Sequence, residues 1–262
     1  MQPRILLHSS YILSRLSKEL TAAMAGLAII QVIFLSMMAP RMAIRVTLYP
    51  QPGYVAYPQP PQTMLTPVLG ITSFLYAILT IAIGAQMGLE LERGDSALYL
   101  SHPISRLSYV ASWIIASILI PSLMFFFSLI IPILILEPYL LLGVGGGEIT
   151  LILLQVSTSG SIVLLTAALF KKRSLALAVG IFEYLIAPIL LTLIAAITSS
   201  ITQTTPSARD MLWMAVLHPY NYYLMFGYSG ANWVEAAVVN IPVFSAFVAF
   251  LLAYTRRSFE VK

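Results

Sequence analysis

The chain has 262 residues, 59% of them hydrophobic and only 9% charged, with a net charge of +4. A soluble domain carries about 25% charged residues, and a globular core of this length cannot hide so much apolar surface, so lipid is the solvent for most of the chain. The absence of cysteine excludes disulfides, Cys-ligated metals and thiol chemistry, and His8, His102 and His218 are too scattered in sequence to suggest a metal site.

In chain order, the expected interfacial segment is residues 1–19, overlapping the stretch PRILLHSSYILSRLSKEL that runs from Pro3 to Leu20. Read as a helix, Leu6, Leu13, Leu16 and Leu20 fall near one face and Arg4, His8, Arg15 and Lys18 near another, which is the pattern of a helix lying in the membrane interface. The plainer reading is a cytoplasmic lead-in with snorkelling Lys and Arg. The first apolar span is Leu20–Met38, longer than the apolar core of a cleaved signal peptide, about 7–15 residues. YPQPGYVAYPQPPQ comes next. Its proline density forbids a continuing helix and favours an extended outer loop.

The second span is Met64–Leu89, and residues 90–107 form a charged loop after it. The third span, Ser108–Leu136, is long and carries Pro121 and Pro132, which predict a tilt, kink or break. LLLGVGGGEI, Leu140–Ile149, lacks the Gly-Lys-Ser/Thr of a phosphate loop and reads as a flexible turn. The fourth span is Ile149–Phe170, the fifth Ser174–Ser199 and the sixth Val234–Tyr254. Each is about as long as the ~20 residues a helix needs to cross a bilayer. The expected fold is therefore all-α and integral to the membrane, a single domain over residues 1–262 with six transmembrane helices.

Orientation comes from Lys and Arg. With the N-terminus in the cytoplasm, the inside segments hold 11 of them and the outside segments hold 3, Arg41, Arg45 and Arg209. The positive-inside rule then places both termini in the cytoplasm and the chain in the cell membrane. Positive residues at the ends of apolar segments fit this rule better than they fit nucleic-acid binding.

The charge concentrates in ELERGDSALYLSHPISR, residues 90–106. Glu90, Glu92, Arg93 and Asp95 are too costly for hydrocarbon and mark the inner end of the second span. Gly94 allows a sharp change of direction. Asp95 suits the N-cap of a short helix through Leu98, Tyr99 and Leu100, and Pro103 stops that helix after His102. The result is a helix end, a turn, a short apolar surface helix and a re-entry, a knob able to dock into a groove on a cytoplasmic partner. The residues fit a routine inner loop equally well.

This stretch resembles the signature of type 2 ABC transporter permeases, in which Glu-x-Glu-x-Gly after the second span precedes a short hydrophobic helix and a Pro-x-Ser-Arg element. Glu90, Glu92, Arg93, Gly94, Leu98, Leu100, Ser101, Pro103, Ser105 and Arg106 match; Asp95 and Ser96 depart from the usual Thr and Leu. The resemblance implies that residues 90–106, with Tyr99 among them, are a coupling helix contacting a separate ATP-hydrolysing subunit. ATP and magnesium would then belong to that partner, and this chain would need no cofactor of its own. It further implies a second permease chain, identical or related, and export as the commoner direction. The basic N-terminal helix, the six spans and AVLHPYNYYLMFG, Ala215–Gly227, agree with the family's layout.

Glu183 is the one acidic residue well inside a span, roughly 14 Å from its inner end at ~1.5 Å per residue. It is a candidate substrate contact, proton carrier or helix–helix anchor, and the plain alternative is a protonated or hydrogen-bonded side chain. Gln31, Gln86, Gln155 and Asn240 read as interhelical hydrogen-bonders, and Ser157–Ser161 as a close-packing patch. Trp213, Tyr220, Tyr222, Tyr223 and Trp233 read as an aromatic belt beside Glu235.

Three function classes are compatible with these features. The first is the permease subunit of an ATP-driven exporter, with no enzyme activity in this chain. The second is a structural or assembly subunit of a larger membrane complex, such as a respiratory one. The third is a membrane enzyme or ion-driven carrier using Glu90, Glu92, Asp95 and His102 as a metal site, although their spacing matches no known ligand pattern.

Overall fold

A computed structural model describes residues 62–95, 105–136, 146–203, 206–227 and 230–257, with scattered helical positions between 11 and 33. Most of the expected interfacial helix and of the first span, the Pro/Tyr-rich loop up to residue 61, and residues 96–104 lie outside the described residues. The described part is 91% helix, without strands. This is the expected outcome in lipid, where every backbone polar group must be satisfied within its own segment.

The elements are α1 (Gln62–Arg93), α2 (Arg106–Ile114), a π-helical turn (Ile115–Leu119), α3 (Ile120–Leu136), α4 (Gly146–Phe170), α5 (Arg173–Ile181), a second π turn (Phe182–Ile186), α6 (Ala187–Thr202), a 3-10 turn (Leu212–Val216), α7 (Pro219–Phe226) and α8 (Trp233–Arg257). Among the described residues, five helices are long and apolar enough to cross a membrane: α1, α2–α3, α4, α5–α6 and α8. They extend the predicted spans by one to four residues at most ends.

The two π turns have a common cause in the sequence. Each lies just before a proline, Pro121 and Pro188. Proline lacks an N–H and its ring collides with the carbonyl four residues back. Widening the preceding turn accommodates that carbonyl without ending the helix. The predicted kink or break of the third span is thus a π turn before Pro121, and helix continues to Leu136. The predicted flexible turn at residues 140–149 also needs correction, because Gly146–Ile149 form the first turn of α4. The Trp233 ring lies against Gly147 there, leaving no room for a Cβ.

Helix α4 is the centre of the bundle, with α1, α5, α7 and α8 packed around it. Its middle carries Thr158, Ser159, Gly160 and Ser161, all fully buried or nearly so. A Cβ on Gly160 would meet Thr80 Cγ2 at 2.7 Å, so the small-residue patch lets α1 and α4 approach closely. The outward faces of α6 and α8 expose Ile189, Leu193, Ile197, Val238 and Phe250. An apolar surface of that extent suits lipid rather than water.

Seven of the eight Lys and Arg among the described residues gather at one end of the bundle: Arg93, Arg106, Lys171, Lys172, Arg173, Arg256 and Arg257. Arg209 is toward the other end. The segment between α6 and α8 returns into the bundle as a buried connector, the 3-10 turn followed by α7. Met214, Ala215, His218, Pro219, Tyr220 and Tyr222 are all buried in it.

Candidate functional site

At the basic end, α1 finishes in Glu90, Glu92 and Arg93, and Gly94 comes next in the left-handed region with φ 74°. That value is open to glycine at no steric cost, as the expected change of direction requires. Asp95 is helical. Leu98, Tyr99, Leu100 and Pro103 lie outside the described residues. The chain re-enters at Ser105, whose hydroxyl caps α2 by accepting from the Ser108 N–H at 3.1 Å. Arg106 opens that helix and is exposed.

The acidic pair is tied to two different helices. The buried Tyr109 of α2 donates its hydroxyl to Glu90 Oε2 at 3.1 Å. Glu92 Oε2 accepts from the Arg173 N–H at the start of α5, at 3.4 Å, where the helix dipole favours a carboxylate. Lys171, with φ 52°, makes the tight turn from α4 into α5. Gly88 lies directly beneath that turn. A Cβ there would stand 2.9 Å from both the Arg173 nitrogen and the Lys172 carbonyl carbon. The charged loop is therefore anchored to α1, α2 and α5 at once. Glu90 and Glu92 face different neighbours rather than a common centre, and the described residues contain no group of three or more metal-ligating side chains.

Deeper in the bundle runs a seam of buried polar side chains along α4. Gln155 accepts from the N–H groups of Tyr220 and Asn221 at 3.1 and 3.2 Å, and so caps the N-terminus of α7. Asn240 of α8 donates to the Val216 carbonyl at 2.8 Å and accepts from Thr158 at 3.2 Å. Both amides hold elements together, as expected. On the α1 side, Tyr76 hydrogen-bonds Ser122 and stacks on Phe125 at 5.0 Å between ring centroids. At the entrance to the connector, the Ser207 hydroxyl and N–H hold the Asp210 carboxyl below the usual carboxylate range.

Glu183 sits in the second π turn, 6% exposed. Its Oε1 is 3.8 Å from Nδ1 of His218, which is 1% exposed. Among the described residues neither carboxyl oxygen nor that nitrogen has a hydrogen-bond partner. Ser159 faces the carboxyl, but its hydroxyl donates to the Gln155 carbonyl at 3.1 Å. The sequence does not reveal this partner, because 35 residues separate the two and His218 reads as part of an outer segment. The same correction covers Tyr220 and Tyr222, expected in an aromatic belt and found buried, at 3% and 0% exposure. Trp213 and Trp233 are exposed, in keeping with a belt.

Compared with known proteins, the chain matches no family model and no curated sequence.

Proposed function

We propose that the chain is the membrane-spanning permease subunit of an ATP-driven ABC transporter, gripped by a separate cytoplasmic ATPase through residues 90–106. On this reading the basic end is cytoplasmic, the first span at 20–38 completes a set of six, and the protein resides in the cell membrane as a dimer with itself or a related chain. ATP and magnesium act in the ATPase, transport runs outward, and this chain catalyses nothing itself.

The observation that carries the reading is the anchoring of the charged loop. Glu90 to Tyr109, Glu92 to the Arg173 N–H, and Gly88 beneath the Lys172–Arg173 backbone join the loop's base to three spans. A push that arrives at the base of the loop, at Glu90 and Glu92, is passed directly into those spans. An ordinary inner turn has no need of three such ties. Differential binding of cargo in the two resulting states is what couples transport to hydrolysis.

The test is purification of the tagged chain in mild detergent from its own host, with identification of what accompanies it. A stoichiometric nucleotide-hydrolysing subunit, released by Leu98→Asp, supports the proposal. A stable complex lacking any such subunit overturns it in favour of a structural or assembly subunit.

A further inference from the structure

The least comfortable group in the bundle is Glu183. It lies inside the fifth-span helix, both carboxyl oxygens are buried, and among the described residues neither makes a well-formed hydrogen bond, the facing Ser159 hydroxyl being directed to the Gln155 carbonyl. An ionised carboxylate left so is costly in a membrane interior. Its nearest basic neighbour among the described residues is His218 Nδ1, itself buried and without a hydrogen-bond partner among them, at 3.8 Å. That gap is beyond a hydrogen bond, and closing it by roughly 1 Å brings the pair into the usual range. Two devices already described produce this placement. The π turn before Pro188 holds Glu183, and π turns recur at functional sites. Gln155 and Asn240 pin the connector that carries His218.

We propose that Glu183 and His218 form a proton-binding site, a carboxylic acid–imidazole couple that fastens the buried connector to the fifth-span helix. The Glu183 hydroxyl donates to Nδ1 of neutral His218. Transfer breaks the carboxyl O–H bond and forms an Nδ1–H bond, leaving carboxylate and imidazolium paired. Loss of the proton to solvent leaves a bare carboxylate facing a neutral ring, and the connector loosens. The other groups that face the couple are few. Ser159 of α4 faces Glu183; Tyr184 is next to it on the same turn and faces Ser73 of α1. Tyr220 of α7 faces Tyr184 and Glu148 of α4. None of them is a nitrogen base, so His218 is the one imidazole among the described groups that face Glu183. The inference is independent of the transporter reading, because it concerns this chain alone.

The test uses the full chain in lipid nanodiscs, with His8→Gln and His102→Gln leaving a single imidazole. Infrared spectra recorded across a pH titration read the carboxylic acid C=O band, and Glu148→Gln separates the other buried acid. The expected result is a band at neutral pH that disappears in Glu183→Gln and shifts in His218→Gln, with a matching shift of the ¹⁵N-labelled Nδ1 resonance. Backbone exchange of residues 212–226, corrected for intrinsic rate, is expected to rise several-fold as the proton is stripped. That rise is absent in Glu183→Gln. A band unaffected by His218→Gln, or a connector whose exchange follows pH identically with and without Glu183, overturns the proposal. If Glu183→Gln does not fold, the infrared shift in His218→Gln and the pH titration of the Nδ1 resonance in the single-imidazole chain decide alone.

Discussion

One side-chain oxygen, that of Gln155 on α4, accepts two backbone hydrogen bonds from the first turn of α7, at 3.1 Å from Tyr220 and 3.2 Å from Asn221. A helix start is normally capped by its own flanking residue. Here His218 occupies that position and makes no side-chain cap, so a residue 65 positions away from Tyr220 does so instead. Gln155→Leu keeps the volume and removes the acceptor, leaving two N–H groups without a partner. A buried orphan costs about 1–3 kcal/mol, whereas interhelical bonds in membranes average nearer 0.6 kcal/mol. We expect a loss of about 2 kcal/mol in a denaturant titration, toward the orphan figure because two donors are stranded at once, with faster exchange confined to residues 219–226. A global loss with no local signature would contradict the capping role.

Tyr109 and Glu90 carry the second prediction. Tyr109→Phe removes the one hydroxyl and keeps the ring in its buried place. The stability cost should be about 1 kcal/mol, the ordinary net value of a single hydrogen bond. The effect on coupling should be larger, since one of the loop's three ties is cut. If the chain works with an ATPase, transported cargo per ATP falls in the variant while basal hydrolysis persists. Unchanged stoichiometry would show that Glu90 merely marks the membrane surface.

Two glycines of α1 should respond to alanine with opposite sign. At Gly70 a Cβ meets nothing within 4 Å. Gly70→Ala should stabilise, because glycine inside a helix costs roughly 0.5–1 kcal/mol relative to alanine. At Gly88 the same Cβ would stand 2.9 Å from the backbone of Arg173 and Lys172. Backbone cannot rotate aside, and overpacking costs about 1–3 kcal/mol. The clash outweighs the propensity gain, and Gly88→Ala should destabilise by about 1–2 kcal/mol. Parallel melts of the two variants in one detergent check both signs.

The five spans found among the described residues were legible because their signal is averaged over some 20 residues of apolar composition, which no single contact can override. Gly94 was legible for a local reason: the change of direction after Arg93 needs positive φ, and glycine supplies it. The roles of Tyr220, Tyr222 and His218 were not legible. An aromatic run rich in Tyr and carrying a proline looks like an interfacial belt whether it lies at the surface or folds back inside. What folds it back is Gln155 and Asn240, and an amide in an apolar span announces a hydrogen bond without naming its partner. The π turns are an intermediate case. Pro121 announced a disturbance, but proline alone does not say whether a helix kinks, breaks or widens.

Pro188 supplies the last prediction. The π turn at Phe182–Ile186 sets the register of Glu183 and lies just before this proline. Pro188→Ala restores an N–H and removes the ring that crowds the Tyr184 carbonyl. The helix is then free to close as a regular α-helix. A π turn inserts one residue, so its removal rotates the helix on one side of the turn by about 100° relative to the helix on the other. With α5 held at its start by Glu92 and Gly88, the full rotation falls on α6, and Glu183, inside the turn that closes, is re-aimed relative to His218. The chain has no cysteine, so a Glu183→Cys, His218→Cys pair can be introduced cleanly. Oxidative cross-linking should be efficient with Pro188 present and reduced several-fold in the Pro188→Ala background. Equal cross-linking in both backgrounds would mean that packing of α7 against α4, and not the proline, fixes where Glu183 points.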